Sequence, residues 1–318
     1  MDIELLTSIL AIAAFAGTSL VFATIGEIFT ERVGILNLGV EGMMIMGAVT
    51  GFAAAYHSES VWVGFFIAAI VGGFMALAHA FATITLRADQ IVSGLALTLF
   101  GTGLASFLGQ ILGPDGGALV GLNGPKLAKF AIPGLSSLPL VGEGLFTQDP
   151  LVYSLFFVVP AAWYFLYKTR PGLYLRAVGE SAATSDAVGV SVFQRRYVYT
   201  VFGGAMAGVA GAHLSLSYTP GWSENLTGGR GWIVIALVIF ATWNPARAVF
   251  GALLFGGVNA VQFRLQAEGT NLPTNILNMS PYILTIVVLI LITRSDKARQ
   301  TIGAPVGLGV PYHREERG

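Results

Sequence analysis

The sequence predicts an all-α polytopic membrane protein, a transmembrane helical bundle of about eight to ten spans with one helix in a cytoplasmic loop. Three observations predict the bundle. Apolar side chains make up 54% of the 318 residues and charged ones only 11%, against roughly 25% charged in a soluble chain. Glycine supplies 41 residues, and glycine is more frequent in membrane helices than in soluble ones. Uncharged runs recur at close to the ~20 residues that cross a bilayer.

The same composition excludes other classes. Acidic and basic residues balance at 17 each, so no basic field points to nucleic acid. Cysteine is absent, which removes disulfide scaffolds, thiolate metal sites and cysteine nucleophiles.

Taken in order, Leu5–Ile25 is the first run. Asp2 and Glu4 stand where a signal peptide would be basic, so it is expected to be an uncleaved span. Val33–Tyr56 is the second, broken by a single carboxylate, Glu41. Val61–Leu86 and Ile91–Leu112 follow. The connection Gly113–Pro150 is rich in Gly, Pro, Leu and Ser and long enough for a partial re-entrant element. Leu151–Tyr167 and Tyr197–Tyr218 flank a polar loop, Lys168–Arg196. Gly231–Trp243 has 13 residues and reaches only ~20 Å as a helix. It either spans as a short helix or dips in and ends inside the protein. Ala248–Phe263 and Ile276–Thr293 close the set. Residues 1–296 thus read as one membrane domain with loop 168–196 inside it, and residues 297–318 as a cytoplasmic tail.

Orientation follows from the basic residues, which favour the cytoplasmic side. With nine spans and the N-terminus outside, 13 of the 17 Lys and Arg residues lie inside, and only Lys126, Lys129, Arg230 and Arg264 lie outside. The C-terminus is then cytoplasmic.

Small residues recur four apart on several runs: Gly203, Ala207 and Gly211; Gly204, Gly208 and Ala212; Gly101, Ala105 and Gly109; Ala252, Gly256 and Ala260; Gly47 and Gly51. Lipid gives apolar helices no hydrophobic reason to leave it, so close backbone approach at small residues holds such bundles together.

The polar loop has its own pattern. Ser181 is suited to cap a helix N-terminus, with Glu180 beside it in the favourable field of the helix dipole. Ala182, Ala183 and Ala187 make a smooth face, and Gly189, before Val190, can end the helix in a left-handed conformation. Such a helix of about two turns either inserts into a groove on another protein or packs on its own chain.

Two stretches carry a resemblance. The loop's Gly179-Glu180, Ala182-Ala183 and Ala187-Val188-Gly189-Val190, followed by Arg195 and Arg196, resembles the coupling helix of ABC importer permeases of the simple-sugar, branched-chain amino acid and nucleoside branch. Gly26-Glu27, Glu31-Arg32, Gly34, Asn37, Gly39 and Glu41-Gly42-Met43-Met44 resemble the opening of a permease of the nucleoside-type importers, which work with basic-membrane-protein-type lipoproteins. The likeness covers roughly residues 5 to 295. It implies a multi-pass subunit of a bacterial inner membrane that takes up nucleosides, with a simple-sugar importer as the alternative. It further implies a separate ABC ATPase subunit docked on Gly179–Ala183, Ala187, Gly189 and Val190. A second, different permease chain and an extracytoplasmic substrate-binding lipoprotein complete the implied assembly.

No Gly-x-x-x-x-Gly-Lys-Ser/Thr phosphate loop occurs, and no Lys follows a Gly. This chain is therefore expected to hold no cofactor, ATP and Mg being bound by the partner ATPase. Glu41 is the one carboxylate expected well inside a span, with Asn37 four residues earlier on the same helical face. Asn259 and Gln262 form a similar pair. Each pair either hydrogen-bonds a neighbouring helix or lines the translocation path, because a polar solute stripped of water needs partners. His57, His79, His213 and His313 show no metal-ligand spacing and no paired acid, and no catalytic constellation stands out. An ion-coupled secondary transporter would need repeats and several buried ionisable groups; neither is evident.

Overall fold

Close packing around one helix organises the bundle. The computed structural model describes residues 3–138, 142–267, 273, 276–277, 279–294 and 303–313. Its helices are α1 (Ile3–Arg32), α2 (Val40–Ser58), α3 (Val61–Ala80), α4 (Gln90–Ile111), α5 (Gly142–Phe146), α6 (Pro150–Lys168), α7 (Arg170–Glu180), α8 (Ala182–Ala187), α9 (Val192–His213), α10 (Arg230–Phe240), α11 (Pro245–Ala267) and α12 (Ser280–Arg294). Single π-helical turns, Phe81–Thr85 and Leu214–Tyr218, extend α3 and α9. Among the described residues, five helices are long and apolar enough to cross a membrane: Leu6–Arg32, Val61–Thr85, Gln90–Ile111, Pro150–Lys168 and Pro245–Gln266. Large apolar side chains such as Phe74, Leu99 and Phe157 face outward from them, as lipid-facing surfaces require.

The polar starts of these helices follow local rules. Asp89 accepts from Val92 N at 2.9 Å to cap α4. Asp149 accepts from Leu151 N and Val152 N to cap α6, whose first residue is Pro150, a residue without an N–H to leave unpaired.

Helix α9 is the spine, and its two small-residue rows explain why. A methyl group added at Gly203 would collide with Thr30 and Gly26 of α1, and one at Gly211 with Met44 O of α2. On the next row, Gly204 and Gly208 meet Gly72 and Ala68 of α3 in the same way. The other spacings are used as well: Gly101 lies on Gly42 of α2, and Gly256 on Ala13 of α1. Backbones touch at these crossings because no side chain intervenes.

Two stretches of non-helical backbone enter the bundle. The run Val33–Tyr56 is not one span: α1 continues to Arg32, residues 33–39 turn back into the protein, and α2 starts at Val40. Helix α4 serves as a ruler of depth. Leu36 meets Gln90 at its first residue, and Leu38 meets Thr98 eight residues further on, so α2 begins roughly 12 Å inside the end of α4. From the other side, Trp222 sits at Gly109 near the far end of α4. The chain then descends to Gly231, which lies against Glu41. Helix α10 has 11 residues, about 16 Å, and it starts inside the bundle. Gly231–Trp243 is thus a half-length helix with its start buried against Glu41.

Residues 113–138 and 142–149 lie over the end of the bundle rather than re-entering it. Leu127 N donates to Leu216 O at 2.8 Å, and Gln148 Nε2 to Ala11 O at 3.2 Å. A two-residue antiparallel pairing, Phe130–Ala131 with Thr147–Gln148, ties this cover together. Beneath it His213 does have an acid partner, contrary to expectation: its Nε2 lies 3.1 Å from Asp149 Oδ2, which Ser217 also contacts. Both side chains of that pair are fully buried.

Candidate functional site

Glu41 and Asn37 do not share a helical face, because Asn37 belongs to the turn before α2. They serve different partners. Glu41 Oε1 accepts from Thr227 Oγ1 at 2.5 Å and Gly229 N at 2.9 Å, while Oε2 accepts from Gly231 N at 2.5 Å. These donors surround the first turn of α10, whose amides have no intrahelical acceptor. A carboxylate there satisfies them and meets the positive end of the helix dipole. Asn37 instead donates from N and Nδ2 to Glu27 of α1, at 3.3 and 3.4 Å, and its Oδ1 accepts from Gly39 N. Nor is Glu41 alone. Glu27 and Glu31 are also buried, since α1 runs about two turns past the point where the uncharged run ends. Glu31 Oε2 accepts from Trp243 Nε1 at 2.6 Å.

Below the α10 start lies a polar cavity of about 470 Å³. Asn259 and Gln262 of α11 both line it, so the structure brings this pair together at one wall. Opposite them are Tyr218, Asn225, Thr227, Arg230 and Tyr282. Glu41 stays behind this wall and fixes it through Thr227, Gly229 and Gly231. Tyr282 Oη donates to Gly228 O at 2.9 Å and closes one side.

Arg230 is the residue that sequence reasoning misplaced. It is not in an exposed loop: its guanidinium lies over the Tyr218 ring at 4.6 Å, and Nη1 donates to Ala16 O, midway along α1. The signal was present in Gly228-Gly229-Arg230 ahead of an unusually short apolar run. Glycine-interrupted membrane segments of that kind mark binding sites in several transporter folds.

At the end of the bundle where α1 ends and α9 begins, α7 and α8 lie outside the spans. Two helices replace the single one expected. Glu180 is the last residue of α7, and Ser181 separates the two, closing α7 and capping α8 by accepting from Thr184 N. Gly189 has φ +85°, the left-handed ending foreseen for it. Thr169 caps α7 by accepting from Gly172 N at 3.2 Å. Leu175 and Val178 are buried on the bundle side, Ala182 packs half-buried against the core, and Ala183, Ala187 and Val188 face out. Gly179 touches Arg32 O at the end of α1, a contact that leaves no room for a side chain. Val190 lies half-buried against the core cluster. Unforeseen in the sequence, residues 303–313 run beneath this loop, where Gly307 N donates to Gly179 O at 2.8 Å.

Comparison with known proteins identifies the family. Residues 8–293 match the family model described as the permease component of the branched-chain amino acid transport system. A putative glucose ABC transporter permease of Haloferax volcanii is 40% identical over 94% of this chain and 95% of its own. A nucleoside ABC transporter permease of Lactococcus lactis is 37% identical over 86% and 88%. A guanosine ABC transporter permease of Bacillus subtilis is 31% identical across the full length of both.

Proposed function

The chain belongs to the branched-chain amino acid transport permease family, as a membrane-spanning ABC transporter subunit whose ATPase is a separate chain, and from that premise we propose that it imports nucleosides. The cavity at the α10 start carries this reading. Asn225 and Asn259 carry amides that suit the hydroxyl groups of a ribose, with Thr227 and Gln262 on the same walls. Tyr218 and Tyr282 add aromatic rings on the same walls, which suit a planar base better than a hexose. The relatives named for nucleosides and guanosine support it. Glucose is the second reading, favoured by the relative at 40% identity. Substrate-stimulated ATP hydrolysis in nanodiscs, with the ATPase and binding lipoprotein present, separates the two. Stimulation by guanosine or adenosine and not by glucose is expected; the reverse result overturns the nucleoside reading.

We assign the α7–α8 loop to the ATPase, which places it on the cytoplasmic side, where the basic residues Lys168, Arg170, Arg176, Arg195 and Arg196 gather. Closure of the ATPase dimer on nucleotide would push α8 and rock the spans, a two-state element biased from one side. The small face of Ala182, Ala183 and Ala187 admits a partner's groove closely. Ala183→Trp and Glu180→Lys are expected to abolish uptake while leaving the chain inserted. Normal ATPase binding and uptake in both variants would sink the assignment. A second permease chain, different from this one, and an extracytoplasmic lipoprotein complete the proposed assembly; co-purification of the whole tests it.

A further inference from the structure

Residues 303–313 are non-helical, yet they are held along their length. Arg32 Nη1 donates to Gly303 O at 3.0 Å. Gly307 N donates to Gly179 O at 2.8 Å, and Gly309 N to Gly34 O at 3.2 Å. Arg196 of α9 donates from Nη1 to Val310 O at 3.3 Å.

Three glycines make these crossings fit. Gly34 has φ +94°, and a side chain there would press on Gly307 O and on Arg196, each at 3.2 Å. A side chain at Gly307 would lie 2.9 Å from Gly179 O, and one at Gly179 would strike Arg32 O. The α1–α2 turn, the end of α7 and the 303–313 segment therefore meet backbone to backbone. The turn that receives Gly309 is the same one that Glu27 holds through Asn37, and it leads directly into α2 and Glu41.

We propose that residues 303–313 are a coupling strap that ties the end of α7 to the α1–α2 turn, so that a displacement of the α7–α8 loop reaches Glu41 and the cavity wall. The inference rests on the assignment of α7–α8 to the ATPase. Helix α8 is only six residues long and follows directly on α7. Without the strap, the end of α7 meets α1 and the turn by van der Waals contact, Gly179 lying against Arg32 and Gly34. With it, two backbone hydrogen bonds span from Gly179 to Gly34. Gly307, Gly309 and Arg196 are positioning residues in this scheme and touch no solute.

A chain ending at residue 302 and the Gly307→Val variant both break the strap without changing a residue of α8; the second keeps the segment that lies beside Glu180. In the complete transporter in liposomes, both are expected to keep the ATPase bound and hydrolysing, while solute moved per ATP falls by about tenfold or more. An unchanged ratio overturns the strap. So does a parallel loss of hydrolysis and uptake, which is what a purely structural role would give. Hydrogen exchange on the chain purified without its partners gives a second readout. The Gly307 and Gly309 amides are expected to exchange about 100-fold or more slower than in an unstructured peptide. Free exchange at both overturns the strap whatever binds α8. Protected amides in a chain whose α7–α8 loop cross-links to no ATPase instead overturn the docking assignment, and the coupling role with it.

Discussion

Two breaks in the helices reach into the bundle from opposite ends, and each is held by a buried carboxylate. At residues 33–39 side chains of α1, α3 and α4 close on the backbone: Leu36 N donates to Gln90, Leu36 O lies 3.1 Å from His79 Nε2, Leu38 O accepts from Thr98, and Asn37 N donates to Glu27. That break is dry, with Ile35 and Asn37 almost fully buried. At residues 219–229 Thr219 N and Gly221 N donate back to Leu214 O and Ser215 O, and Glu41 holds the other end, while Ser223 to Asn225 between them stay exposed. Non-helical backbone at membrane depth persists where protein covers it or where it lines a cavity, and this chain contains one example of each. The difference shows in the bonds. Glu27 makes two long ones, 3.3 and 3.4 Å, whereas Glu41 makes three between 2.5 and 2.9 Å at a helix start. One break is a fold device; the other builds the wall of a cavity.

Substitutions at the two carboxylates should separate these roles. Glu41→Ala should have the largest effect. It strands the Gly229 and Gly231 amides, each worth about 1–3 kcal/mol when buried without a partner, so a loss of about 2–6 kcal/mol is expected in thermal unfolding in detergent, with uptake abolished. Melting within a degree of the unaltered chain would refute the role of Glu41 as the holder of α10. Arg230→Ala should come next and act differently. The α10 start keeps its Glu41 cap, so the melting curve should hold, while uptake falls by about tenfold through loss of a charged cavity group. If uptake and specificity survive, the cavity is not the path. Glu27→Gln should do least, because a glutamine oxygen can still accept from Asn37; a change of about 1 kcal/mol or less is expected. An effect as large as that of Glu41→Ala would mean that the two breaks are not distinct in kind.

Much of this architecture was legible, and the particulars say why. Glycine and alanine spacings report backbone approach directly, so the α9 rows at Gly203, Ala207 and Gly211 and at Gly204 and Gly208 could be read before any partner was known. Ser181 and Gly189 likewise act through their own backbone neighbours, and both ends of α8 fall where they stand. Asn259 and Gln262 were chosen for polarity inside an apolar run and do share one cavity. The failures have one physical origin. Glu27 and Glu31 looked like the edge of a span because charge was taken as its limit, yet tertiary partners, Asn37 and Trp243, let α1 continue past them. Arg230 looked external because its depth depends on a bond from Gly231 to Glu41, 190 residues away. The 303–313 strap shows no periodicity at all; its order comes from Gly34, Gly179 and Arg196, which a linear reading cannot connect.

The contact of α9 with α1, α2 and α3 has an electrical consequence. At Gly203, Gly204, Gly208 and Gly211 there is no space even for one methyl group, and a site that rejects a methyl group rejects a water molecule. A file of waters along the spine, the usual route for proton leakage, is thereby broken four times over two and a half turns of helix. Protons therefore find no continuous file of waters along the seam of α9 with α1, α2 and α3.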